Sequence, residues 1–155
     1  MSNRHIRLKD EFTNDPEGIG YSGMTDQQRY DSLVLEDIAI KTAIPSESVK
    51  FHLEMINKWA QMGELSVVDQ SQTPPVPRNS TAFHTVLVLN TFEQFDMAVA
   101  NQAQVFNNLM NALVSNSILT QQEADDILAE GDDFTSRDSV INVANVTIGE
   151  IEGAR

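Results

Sequence analysis

The chain has 155 residues, a net charge of −13 and no cysteine. A single domain of this length buries roughly two-thirds of its unfolded surface without covalent staples, and the lack of cysteine excludes disulfides and thiolate metal sites. Nucleic-acid affinity rests on Lys and Arg displacing counterions, so a chain with only ten such residues and a strong negative charge is not expected to bind DNA or RNA.

Met1 to Lys9 carries Arg4, Arg7 and Lys9 but no apolar core, so a secretory signal is not expected. Residues 1–13 read as an N-terminal arm or a short helix, with Ile6, Leu8 and Phe12 available for packing. Asn14 to Gly23 is a turn-rich loop. Thr25 and Gln28 have capping-box spacing and start a helix whose apolar side is Tyr30, Leu33 and Val34. Glu36 to Ile44 alternates loosely and reads as extended, and Pro45 disfavours helix at Ile44. Ser46 is the expected N-cap of a helix bearing Val49, Leu53, Ile56 and Ala60, with Gly63 as its stop.

Residues 69–79, with Pro74, Pro75 and Pro77, form a Pro-rich internal loop on a semi-rigid path. Ser80 to Phe92 fits either a buried strand through VLVL or a helix, and the spacing of Phe83, Val86, Leu87 and Asn90 favours the helix. Val86 to Leu89 is also the longest apolar run, far too short to span a bilayer. Asn101 to Ser115 is the clearest helix, with Val105, Phe106, Leu109, Met110, Leu113 and Val114 as a broad stripe. Thr120 and Glu123 repeat the capping-box spacing, and that helix ends near Gly131. Phe134 to Asn145 fits strand or short helix, and Val146 to Arg155 reads as a strand-like step and a terminal turn. The fold class expected is mainly α: one compact helical domain over 1–155, with about five to six short helices and one or two short strands.

Gly18, Gly20 and Gly23 match the dinucleotide fingerprint GxGxxG, but no buried strand precedes them and no helix opens directly from them. They read instead as a structural loop with positive φ angles, Tyr21 folded back on the core. The acidic run from Glu123 to Asp133 fails as an EF-hand: with Gly131 in sixth place, Leu128 and Arg137 fall where oxygen donors are needed. His5, His52 and His84 are far apart, and Ser22 does not lie in GxSxG. Trp59 and the phenylalanines fall mostly at helical spacing and read as core, with one or two as interface anchors. No catalytic residue, metal ligand or cofactor is expected.

Residues Asn14 to Asp26, NDPEGIGYSGMTD, closely resemble the DPxxxGYxGMTD signature of small proteins encoded by tailed bacteriophages. Asn111 to Val114, Ile118 to Thr120 and Glu123 to Asp125 resemble that family's "DALVAAGVLT..E.AD" segment, and Ser136-Arg137 with Val146 to Arg155 resembles its "SRA…V..GDV..AR" close. The glycine-leucine step that usually follows "SRA" is missing here, and the middle, Leu35 to Phe95, matches only loosely. The resemblance implies a phage gene product associated with the virion, with no catalytic residues to carry over. In that setting Asp15, Pro16, Gly18, Gly20, Tyr21, Gly23, Met24 and Thr25 form a structural loop, and Arg4, Arg7, Pro74, Pro75 and Pro77 mark interface arms.

The leading expectation is therefore a virion structural protein, assembled in the host bacterial cytoplasm, decorating the head or joining parts at the head–tail or tail region. Its partners would be other phage structural proteins in many copies, with no nucleic acid, membrane or small-molecule substrate. The alternative is a non-virion phage protein that binds a host protein through its acidic surface; an enzyme ranks third.

Overall fold

The structure is a computed structural model that describes residues 2–155. In chain order the elements are α1 (Asn3–Asn14), α2 (Asp26–Val34), β1 (Ile38–Lys41), β2 (Ala43–Pro45), α3 (Ser46–Met55), α4 (Trp59–Leu65), β3 (Val68–Asp69), β4 (Val76–Pro77), α5 (Ser80–Thr91), β5 (Gln94–Asp96), α6 (Ala100–Ser115), α7 (Gln121–Leu128), β6 (Asp132–Thr135), α8 (Arg137–Val140) and α9 (Ile148–Ala154). The protein is mostly helical, as its periodicity predicts. The expected count is corrected upward: among the described residues there are nine helices and six short strands. The strands form three two-stranded ribbons, β1 with β6, β2 with β5 and β3 with β4.

Local chemistry explains where the expectations hold and fail. Both capping boxes form: Thr25 Oγ1 accepts from Gln28 N at 3.2 Å, and Thr120 Oγ1 from Glu123 N at 3.1 Å. A third, Thr147 with Glu150, starts α9, where the sequence reads as a strand-like step. Ser46 is not a side-chain cap; its hydroxyl donates to Phe92 O at 2.5 Å. The single helix expected up to Gly63 is two, because Asn57 adopts a positive φ of 60° and breaks it, and α4 then runs through Gly63. Residues 80–91 are helical, and the Pro-rich loop is flanked by a short hairpin pairing Val68 with Pro77 and Asp69 with Val76.

The chain divides into two compact units. The terminal unit joins residues 1–40 to 134–155, and the central unit is 41–133. In the terminal unit α9 packs on α1 and α2, and α8 on α2. Its core is Leu8, Tyr21, Leu33, Val143, Val146, Ile151 and Ala154. The central unit packs α3, α4 and α6 against α5, and α7 against α6, around Ile44, Leu53, Met62, Leu89, Phe95, Phe106, Met110, Leu113 and Ile127. Each fully buried Leu, Ile or Phe contributes about 1.5–3 kcal/mol.

Candidate functional site

The signature loop is built to hold the terminal unit together. Asp15 ends α1 in the left-handed conformation, and its carboxylate accepts from Ile19 N and Gly20 N, both at 2.7 Å. Amides that would cradle a phosphate in a nucleotide loop are thus already occupied by a carboxylate. Pro16 is exposed in the turn, and Gly18, Gly20 and Gly23 have φ of 66°, 83° and 86°, which only glycine adopts without strain. These turns return Tyr21 to the interior, place Met24 against the core and set Thr25 as the cap of α2.

Tyr21 leads to a buried polar network. Its hydroxyl donates to Glu11 Oε1 at 2.9 Å, and Arg137 grips the same carboxylate through Nε at 2.8 Å and Nη2 at 2.9 Å. Burial, reinforced by the Glu11 hydrogen bond, holds the Tyr21 phenol well above its ordinary pKa. Nearby, Arg29 lies over the Phe12 ring at 4.7 Å, and Ser136 donates to the buried carboxylate of Asp138.

Arg4 and Arg7 do not project as arms. Arg4 donates to Glu150 at 2.8 and 3.1 Å and to the carbonyls of Val143 and Ala144, and Arg7 donates to the carbonyl of Asn142 at 3.2 Å. Glu150 also accepts from Thr147 N, so one carboxylate both caps α9 and ties it to α1. The Arg4 hydrogen bond holds that carboxyl below the usual range. Pro74 and Pro75 are exposed at the tip of the β3–β4 hairpin, and Pro77 is half-buried in β4. There Asp69 accepts from Ser71 N and Oγ at 3.0 and 2.6 Å, which orders the turn from within.

A stretch of surface without acidic or basic side chains lies on the central unit, and sequence reading missed it. No Asp, Glu, Lys or Arg occurs from Met97 to Gln122, nor from Asn79 to Phe92. These runs form α5 and α6. Asn, Gln, Ser and Thr make up most of their outward faces, with Phe83, Leu87 and Val105 exposed among them. On α5 the helical spacing marks two faces, and the one turned inward is Ala82, Thr85, Val88 and Leu89. The bulkier Phe83 and Leu87 point outward, which corrects the reading of the phenylalanines as mostly core: Phe95 and Phe106 are buried, but Phe51, Phe83, Phe92 and Phe134 are exposed. A cleft of about 620 Å³ opens between the end of α5 and the start of α6, lined by Phe92, Glu93, Gln94, Phe95, Gln102 and Val105. The signal was present as a gap in the charge pattern, hidden when charge is summed over the whole chain.

Among the described residues no three His, Asp or Glu side chains converge as metal ligands would, and no helix is long and apolar enough to cross a membrane. Compared with known proteins, the chain matches no family model, no curated protein and no solved structure.

Proposed function

We propose that this chain is a structural component of a tailed-bacteriophage particle, acting by non-covalent assembly at the head, the head–tail junction or the tail. The observation that carries the reading is the meeting of two distant stretches in one unit. The loop from Asp15 to Thr25 and the close from Ser136 to Arg155, which resemble the phage family at both ends of the chain, build the terminal unit together. Chance likeness of two short segments gives no reason for them to share a core.

The reading assigns no catalytic step, cofactor, nucleic acid or membrane. The ionisable groups buried in the terminal unit are engaged in holding the chain, as Glu11 and Arg137 are, and the uncharged face of α5 and α6 supplies a surface of the kind that protein contacts use. Mass spectrometry of purified particles should find the chain at fixed stoichiometry with the other structural proteins. Its absence from particles, with recovery of a host protein on the purified chain, would replace this reading with that of a host-protein ligand. The exposed carboxylates Asp125 and Asp126 on α7 favour that second reading.

A further inference from the structure

We infer that the face formed by α5 and α6 joins two copies of this chain, Phe83, Leu87, Phe92 and Val105 of each meeting the same surface of the other. The inference deepens the assembly reading by naming the partner at that face, but it concerns the purified chain alone and does not depend on which particle contains it.

Area supports a macromolecular contact. Phe83, Leu87, Phe92 and Val105 are 41%, 53%, 54% and 51% exposed. At that exposure, side chains of their size present about 400 Å² of apolar surface together. A standard interface covers about 800 Å² per partner, a little over half of it non-polar, so the apolar share needed is close to what this face offers. The cleft beside Phe92 and Val105 gives a protruding side chain of the facing copy a place to enter.

Charge selects the occupant. The chain as a whole repels its own copies, because each carries −13. A contact between copies must therefore be made where the charge is missing, and α5 and α6 contain no Asp, Glu, Lys or Arg. A basic partner would find no counter-charge on these helices; charged groups come only beside Phe92, where Glu47, Lys50 and Glu93 line a neighbouring pocket. An uncharged, apolar-studded patch in an acidic protein fits another uncharged patch, and the one guaranteed to be available is its own. A two-fold axis makes such a patch self-complementary and closes the assembly.

Sedimentation equilibrium on the purified chain tests this. The dimer should form with rising concentration and tighten with salt, because salt screens the net repulsion and leaves the apolar contact. Leu87→Asp should weaken it by about thirtyfold or more, as loss of a central anchor does, with the helical circular dichroism unchanged. A wild-type chain that stays monomeric at high concentration and high salt overturns the inference, as does a Leu87→Asp dimer as tight as the wild type. If Leu87→Asp does not fold, cross-linking decides, since the native chain has no thiol. Oxidation should couple Leu87→Cys or Val105→Cys into dimers and leave Ser71→Cys, in the turn between β3 and β4, monomeric; equal coupling at Ser71 would count against the face.

Discussion

In the terminal unit the buried side chains include Glu11, Arg29, Ser136 and Asp138, whereas in the central unit the buried polar residues are Ser46 and Thr85, each donating to a backbone carbonyl. The contrast follows from topology. The terminal unit is made of two pieces, and its Glu11–Arg137 pair lies 126 positions apart in the chain. An apolar core closes around almost any collapsed partner, but a bidentate guanidinium–carboxylate pair accepts one geometry. Ion pairs in the interior are a weak source of net stability and a strong source of specificity where both partners must be in place. The molecule thus uses directional contacts where its ends must find each other, and apolar packing where the segment is continuous.

Intrinsic probes separate the two regions: Trp59 is the one tryptophan and lies in the central unit, while both tyrosines, Tyr21 and Tyr30, lie in the terminal unit. The largest expected effect is at the network. Arg137→Met leaves the buried Glu11 carboxylate with the Tyr21 hydroxyl but no counter-charge and should destabilise the terminal unit by about 3–5 kcal/mol, lowering the midpoint seen by tyrosine near-ultraviolet circular dichroism more than that seen by Trp59 fluorescence. Equal shifts of both signals would show the two units to be one cooperative body. The reverse pattern should follow Leu113→Ala, which leaves a cavity in the central core worth about 2–5 kcal/mol and moves the Trp59 transition first.

Smaller steps sharpen the same contrast. Thr25→Ala and Thr120→Ala each remove a capping box, one in each unit, and should cost about 1 kcal/mol apiece, again read separately by tyrosine and tryptophan. The smallest effect is in acid. The Glu150 carboxyl is held below its ordinary value by Arg4, so its contribution is complete above the unfolded pKa of about 4.3 and fades as pH falls through the depressed folded value. The pair is partly solvent-screened, so the effect is at most about 1 kcal/mol. Melting curves of wild type and Glu150→Gln should differ near neutrality and converge in acid. At the other extreme the raised Tyr21 pKa acts with the opposite sign, removing stability as pH rises beyond the ordinary phenol range.

Features fixed by neighbours in sequence were legible in it. Thr25 with Gln28 and Thr120 with Glu123 announce their helices at a spacing of three, and α6 declares itself by its stripe. Features decided by distant packing were not. Nothing near Glu11 hints that Arg137 will cover it, and Arg4 looks like a free cation until Glu150 is brought beside it. Helix α9 contains two glycines and follows a β-branched pair, so its own propensity is poor, and contacts with α1 and α2 overrule it. On α5 both faces keep helical spacing, and only the fold tells which one is covered.

The split of the terminal unit also sets an order of events during synthesis. Residues 1–40 leave the ribosome before the central segment, but Val143, Val146 and Ile151, which complete their core, emerge only after it. At about 5–20 residues per second, the opening segment spends several seconds without its other half. The continuous central segment can condense in that interval, so residues 1–40, although made before it, complete their core after it.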